Sequence, residues 1–151
     1  MDIFDKQCAI LFEQIGKHKK MVLSTSLKDY VTSRMMSVVI TDNLFYFQTD
    51  KNFRKYGQLQ GNNKASLCIE NIQVEGICKE IGHPLDNPVF NDLFKEGFRG
   101  SYDRYSALID ERLFELKPAY IQRWIYVDNE PFIEIYDFGK KLYELKPYTA
   151  E

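Results

Sequence analysis

The chain has 151 residues, of which 44% are hydrophobic and 28% are charged, and its formal net charge at pH 7 is −2. This balance is typical of a globular protein with a sizeable core and excludes a largely disordered chain. A slightly negative chain has no general attraction for nucleic acid or anionic membranes, so any anion site must be local. We expect one domain that spans residues 1–151.

Cysteine and histidine are sparse and scattered. The three cysteines lack C-x-x-C spacing, and the two histidines lie far apart. This pattern predicts reduced thiols and no metal site. The first twenty residues are charged from the second position and have no long apolar run, which predicts neither a signal peptide nor a membrane span. We therefore expect a cytoplasmic protein that binds neither nucleic acid nor membrane.

The first elements in the chain are one helix and three strands. Apolar residues recur at helical spacing over residues 2–19, and the basic run Lys17–Lys20 reads as the last turn of this helix. From residue 20 the spacing of apolar residues changes from the helical period to that of strands, and short polar turns separate the apolar runs. The three predicted strands cover residues 20–27, 30–40 and 44–49.

A short helix and further strands follow. Asn52 predicts the N-cap of a helix that ends near Gln60. Two strands follow at 64–71 and 72–82. Helical spacing returns between Pro84 and about Arg112, in one helix and a second short one over 102–109. Four more predicted strands cover residues 112–118, 119–128, 131–138 and 141–147.

This order of elements predicts a mainly β fold. Six to eight short antiparallel strands with a few helices are typical of a small barrel with helices packed outside. Strands joined by two- or three-residue turns cannot form a doubly wound parallel sheet, since parallel strands need long crossovers. The sequence also has no G-x-G-x-x-G or Walker pattern.

Four residues predict a local anion site. Thr49 ends the third strand, and Arg54 and Lys55 stand at the start of the following helix, where free backbone amides accumulate. Arg34 lies in the middle of the preceding strand, and the hairpin between these strands brings it towards Thr49. Such a set of donors and cations suits a phosphate monoester. The alternative is that these cations are ordinary exposed or paired side chains.

The segment "VTSRMMSVV…LFYFQTDKNFRKYGQLQGNNKASLCIENIQVEG" resembles the pyridoxamine 5′-phosphate oxidase-like family of FMN-binding split barrels, over roughly residues 18–82. The resemblance implies an antiparallel split β-barrel with peripheral helices, FMN as cofactor and a homodimer. It implies that Arg34, Arg54 and Lys55 bind the FMN phosphate and that Thr49 donates its hydroxyl. The remaining cofactor-binding residues that it implies are Met35, Met36, Phe47, Gln48 and Asn71, the last reaching the flavin across the dimer interface.

The sequence departs from the family pattern at several positions. Phe53 replaces a serine that donates to the phosphate, Asn63 replaces a proline, and Asn71 is shorter than the usual glutamine. The R-x-H motif by which pyridoxamine phosphate oxidases hold their substrate is missing near the C-terminus. We therefore do not expect a true pyridoxamine phosphate oxidase.

Two hypotheses about function follow from the resemblance. The first is an FMN-dependent oxidoreductase that acts on an unidentified small molecule, with NADH or NADPH as a candidate reductant and no assignable catalytic residue. The second is a non-catalytic protein that binds, stores or senses a flavin, a haem or a deazaflavin. Residues 82–106 are predicted to form one wall of the pocket, with Arg99 and Arg104 facing an anionic substrate. The alternative is an ordinary core stripe with exposed arginines.

Overall fold

The computed structural model describes residues 2–149, and Met1, Ala150 and Glu151, at the ends of the predicted domain, lie outside the described residues. It contains eight strands, four α-helices and a short 3₁₀ turn at Pro84–Asp86. The helices are α1 (Ile3–Ile15), α2 (Arg54–Gly61), α3 (Pro88–Gly97) and α4 (Arg99–Tyr105). The strands are β1 (His18–Leu27), β2 (Tyr30–Thr41), β3 (Leu44–Asp50), β4 (Lys64–Ile69), β5 (Ile72–Glu80), β6 (Glu111–Val127), β7 (Glu130–Asp137) and β8 (Leu142–Pro147).

Six of these strands form a closed antiparallel barrel. The order along the sheet is β3-β2-β1-β4-β5-β6, and β6 pairs with β3 to close it. The outer half of β6 continues beyond the barrel and pairs with β7, which pairs with β8. The predicted mainly β barrel with peripheral helices is confirmed. No helix within residues 2–149 is both long enough and apolar enough to cross a membrane.

Tight turns set the register of three hairpins. Both central residues have positive φ at Lys28-Asp29, at Asp42-Asn43 and at Asp128-Asn129. Two consecutive residues with positive φ define the type I′ turn, whose twist matches that of the flanking strands. The predicted turns at the ends of β1 and β2 are therefore confirmed.

Several predicted boundaries are wrong, and one of them is that of the second short helix, which spans Arg99–Tyr105 and not 102–109. The first helix ends at Ile15 because Gly16, with φ of 90°, turns the chain, and His18–Lys20 then pair with β2 as strand residues. Asn52 does not cap α2, because its amide binds the carboxylates of Asp50 and Asp110 instead. The two strands predicted on either side of Pro118 form one continuous strand, β6. A bulge at Ala119 accommodates this proline, since Glu75 pairs with Tyr120 and Gly76 with Pro118.

The barrel interior forms the main core. It holds Leu23, Phe47, Leu67 and Leu116, and the buried face of α1 packs against it, with the Phe12 ring 5.6 Å from that of Phe45. A second, smaller core lies on the outer surface of the barrel. There α3 buries Phe90 and Phe94 against Val39 and Leu113. Helix α3 is thereby fixed beside β1 and β2.

A buried ion pair ties the outer strands to the barrel. The Arg123 Nε of β6 lies 2.5 Å from Glu134 Oε1 of β7, and both side chains are nearly inaccessible to solvent. The Tyr143 hydroxyl of β8 donates to the other oxygen of Glu134 at 2.6 Å, and Arg123 also donates to Gln14 of α1. Burial, together with the Glu134 carboxylate, raises the pKa of Tyr143. This network joins four elements with every charge paired.

Candidate functional site

A cavity of about 420 Å³ lies between the barrel and the α3–α4 segment. Its barrel side is made by Lys20, Met35, Met36, Ser37, Gln48 and Thr49. Its other side is made by Phe94 of α3, by Ser101 and Tyr105 of α4, and by Leu108, which follows α4. Asp50, Phe53, Lys55 and Glu111 form one polar end. The volume falls in the range of pockets that hold small molecules and cofactors.

Lys55 supplies positive charge at the polar end. It is the second residue of α2, and its Nζ lies 4.8 Å from the centroid of the Phe53 ring, a cation–π contact. Burial and the charge of Arg34 lower the pKa of Lys55, while the charges of Glu111 and Asp50 act in the opposite direction. The charged form of this half-buried lysine is destabilised by its surroundings, so an anion that enters the cavity would stabilise it.

Arg34 lies beside the cavity and is held by neutral groups. Its Nη1 donates to the Leu23 carbonyl at 3.1 Å and to Thr25 Oγ1 at 2.9 Å, and its Nη2 donates to Thr32 and, at 3.4 Å, to Gln58 Oε1. Burial and the nearby charge of Arg54 lower the pKa of Arg34. Neither Arg34 nor Arg54 is among the residues that line the cavity.

Arg34, Arg54 and Lys55 form a group of neighbouring cations. Within residues 2–149, no carboxylate oxygen lies within 4.0 Å of a side-chain nitrogen of any of the three. The charge of Arg54 lowers the pKa of Arg34, and the charge of Arg34 lowers the pKa of Lys55. These three cations form no ion pair within the described residues and outnumber the two nearby carboxylates, Asp50 and Glu111, which act on Lys55. The excess of positive charge favours an anionic ligand.

Thr49 and Gln48 are buried at the end of β3. The Thr49 hydroxyl has only a weak local acceptor, the Asp50 carbonyl at 3.3 Å. Gln48 Oε1 accepts a hydrogen bond from the Ser106 hydroxyl at 3.0 Å, and the Gln48 side chain acts to lower the pKa of the neighbouring Glu111 carboxyl. Both side chains contribute polar groups to the cavity.

Sequence reasoning missed Glu111, the first residue of β6. Only 5% of its surface is exposed, and it lines the polar end of the cavity. Burial and the charge of Asp50 raise its pKa to about 7, although Lys55, His83 and the hydrogen bond from Gln48 lower it. Its position depends on the closing pair β3–β6, in which Asp50 lies opposite Glu111. The sequence carries no local signal of that pairing.

Five of the nine residues implied by the family resemblance line this cavity: Met35, Met36, Gln48, Thr49 and Lys55. Phe47 lies in the barrel core, where its ring stacks on that of Phe114 at 5.5 Å. Asn71 lies in the β4–β5 turn and donates to the Trp124 carbonyl, so it is not at the cavity of its own chain. The binding roles of all nine residues stay predictions.

The α3–α4 segment forms one side of this cavity, and its role as a wall of the flavin pocket stays a prediction. Phe90 and Phe94 also pack in the second core, so the alternative of an ordinary core stripe is correct for this part of the segment. Arg99 pairs with Asp103 at 3.1 Å, and neither Arg99 nor Arg104 lines the cavity. Among residues 2–149, no group of three or more His, Cys, Asp or Glu side chains is arranged to hold a metal ion.

Neither a protein-family model nor a curated protein matches the sequence. Solved structures do match the fold. Campylobacter jejuni ChuZ is 12% identical with a TM-score of 0.72, over 98% of this chain and 64% of ChuZ. A pyridoxamine 5′-phosphate oxidase-related, FMN binding protein from Nostoc punctiforme is 14% identical with a TM-score of 0.65, over 87% of each chain. HutZ, a heme storage protein from Vibrio cholerae, is 18% identical with a TM-score of 0.57, over 66% of this chain and 81% of HutZ.

At these identities the likeness concerns the fold. The chain has the split-barrel fold of the pyridoxamine 5′-phosphate oxidase-like, FMN-binding proteins, and the resemblance seen in the sequence is confirmed at that level. Proteins with this fold bind more than one cofactor, as the heme storage protein shows. The ligand of this chain must therefore be argued from its own residues.

Proposed function

We propose that the protein binds FMN and acts as an oxidoreductase on a small molecule. The observation that carries the proposal is the group of three cations, Arg34, Arg54 and Lys55, which forms no ion pair in the described part of the chain and stands beside a cofactor-sized cavity. A phosphate monoester supplies the missing charge. Lys55 and Thr49 would bind it directly, and Arg34 and Arg54 would stabilise its charge from behind.

The rest of the cavity suits an aromatic ring system. Met35 and Met36 offer strand backbone on one side, where Met35 adds its thioether, and Phe94, Tyr105 and Leu108 offer apolar surface on the other. Sulfur and aromatic groups pack well against flat rings. When bound, FMN would supply the electron or hydride transfer. The chain's own residues would anchor the phosphate, orient the ring and exclude water along the α3–α4 wall.

We propose that the active form is a homodimer. The sheet face formed by β2, β1, β4 and β5 carries apolar side chains that are well exposed, among them Val31, Met35 and Ile77. Between them runs a shallow groove lined by small residues, including Ser24, Ala65 and Gly76. A continuous surface of this kind is typical of a subunit interface. In a dimer, Asn71 of the second subunit would complete the flavin site, as the resemblance implies.

The proposal is tested on the purified protein in three steps. Titration with FMN, monitored by flavin fluorescence, measures the binding affinity. The same titration with riboflavin, which lacks the phosphate, shows how much the phosphate contributes to that affinity. Steady-state assays with NADH and NADPH, using oxygen, quinones and nitroaromatics as acceptors, measure turnover. We expect tighter binding of FMN than of riboflavin and reduction of bound flavin by one of the two nucleotides. Flavin that is bound but not turned over, and shielded from iodide quenching, would favour the non-catalytic alternative.

A further inference from the structure

We propose that Glu111 takes up a proton from solvent when an anionic ligand enters the cavity, so that binding of the anion and protonation of this carboxyl are coupled. The inference rests on the proposed function, because it takes the FMN phosphate as the anion. It concerns a residue to which neither the family resemblance nor the proposed function gives a role.

The geometry places Glu111 at the end of the cavity where the anion would lie. The β3–β6 pairing fixes it opposite Asp50, and its carboxyl lines the same polar end as Lys55. It is 95% removed from solvent and, within residues 2–149, has no cation within ion-pair distance. The neighbouring polar side chain is Gln48, whose oxygen accepts a hydrogen bond from the Ser106 hydroxyl.

The charged groups around Glu111 come from three elements. Asp50 faces it from β3, Lys55 from α2 and His83 from the segment after β5. The Asp50 carboxylate accepts two hydrogen bonds from Asn52, and the His83 Nδ1 accepts one from the Leu85 amide. Among the groups that line the polar end, Lys55 balances one carboxylate but not two. The second carboxylate, when ionised, repels an incoming anion.

Protonation of Glu111 removes this repulsion. With a neutral Glu111, the polar end holds one cation and one carboxylate, and the charges of Arg34 and Arg54 lie close behind it. By linkage, an anion that binds the protonated form better must raise the pKa of Glu111, and proton uptake must strengthen anion binding. Because the pKa of Glu111 in the free protein is about 7, the coupling operates around neutral pH.

The test is calorimetric titration of the apo-protein with FMN in two buffers of different ionisation enthalpy, which counts the protons taken up. At about pH 8, we expect the parent protein to take up between about 0.5 and 1 proton more than Glu111→Gln. Glu115→Gln, which changes a carboxyl four residues along the same strand and away from the cavity, should behave like the parent. The FMN phosphate titrates mainly below this pH and contributes equally in all three proteins.

A second measurement needs no variant. The affinity of the parent protein for FMN should fall about tenfold for each pH unit above about pH 7, until the pKa of the complex is reached. FMN binding with a flat pH profile, or with equal proton uptake in the parent and Glu111→Gln, overturns this inference alone. A protein that binds no FMN at any pH overturns the proposed function, and this inference with it.

Discussion

Asp50 and Glu111 lie directly opposite each other across the closing strand pair β3–β6, so two carboxylates reach the same end of one cavity. The two are not equivalent. Asp50 accepts hydrogen bonds from the backbone and side chain of Asn52, whereas Glu111 is buried beside Gln48. Unequal surroundings of this kind separate the protonation behaviour of two neighbouring acids.

The first prediction concerns the pH dependence of stability in the apo-protein. The pKa of Glu111 in the folded state is about 7, above its value of 4.5 in an exposed glutamate. The unfolded state therefore releases this proton first, and folding stability is lost as the pH rises from about 4.5 to about 7. We expect Glu111→Gln to abolish this loss and to be more stable than the parent by up to about 3 kcal/mol above pH 7.

Urea denaturation at several pH values measures this difference. The two proteins should be closest in stability near the acid end of the range, and their difference should reach a plateau above neutrality. A constant difference at every pH would show that Glu111 does not titrate in this range.

The second prediction concerns Lys55. We expect Lys55→Ala to weaken FMN binding by about 1.5–3 kcal/mol, the range for hydrogen bonds to charged groups. Binding of riboflavin, which has no phosphate, should hardly change. Lys51→Ala is the matched control, because Lys51 is a neighbouring cation that pairs with Asp110 and does not line the cavity. Equal FMN affinity in Lys55→Ala and Lys51→Ala would place the phosphate elsewhere.

The third prediction concerns Arg34, whose substitution should have two effects. Arg34→Ala should weaken FMN binding by about 1.5–3 kcal/mol. It should also destabilise the apo-protein by about 1–3 kcal/mol, because the Thr25 and Thr32 hydroxyls lose the donor that Arg34 provides. Arg104→Ala, at an exposed arginine outside the cavity, is the control for both measurements. Unchanged affinity together with lowered stability would assign Arg34 a purely structural role.

The fourth prediction concerns the subunit interface. Sedimentation should give a dimer, with twice the chain mass of 17.8 kDa. Val31→Glu places a charge on the uncovered sheet face and should yield monomers, since burying an unpaired charge is costly. Val127→Glu, at the tip of the β6–β7 hairpin, should leave the dimer intact. A parent protein that sediments as a stable monomer at micromolar concentration contradicts the prediction.

The fifth prediction concerns the ion pair between Arg123 and Glu134. Glu134→Ala leaves a buried arginine without its partner and should destabilise the protein by about 3–5 kcal/mol. Glu144→Ala removes the partner of Lys146 in a more exposed pair and should cost no more than about 1 kcal/mol. Urea denaturation compares the two. Similar losses of stability in both variants would mean that burial adds nothing to the first pair.

Features that depend on neighbours in the chain could be predicted from the sequence. The hairpin turns at Lys28-Asp29 and Asp42-Asn43 were readable, because turn residues between two apolar runs determine the local backbone. The errors arose where a distant group competes with a local preference. Asn52 is a good N-cap residue in isolation, but Asp110, far away in the sequence, binds its amide.

The candidate site shows the same limit. Lys55 and Thr49 follow from the strand-to-helix junction and the family resemblance, and both line the cavity. Arg34 was expected to point towards Thr49, but its guanidinium binds Thr25 and Gln58 beside the cavity. Glu111 could not be found, because its role depends on barrel closure. That closure pairs strands from opposite halves of the chain.

The closure of the barrel through β3 and β6 also bears on how the protein folds. The hairpins of β1, β2 and β3 join neighbouring segments, whereas the β3–β6 pair must bring together residues separated by a long stretch of chain. Pairing across such a separation carries a high entropic cost and is slow to form. We therefore expect the cavity to be assembled late in folding, with Lys55 in place before Glu111 arrives. A ligand that contacts residues from both sides of the β3–β6 closure binds only the closed barrel. Its presence therefore shifts the folding equilibrium of newly made chains towards the native state by mass action.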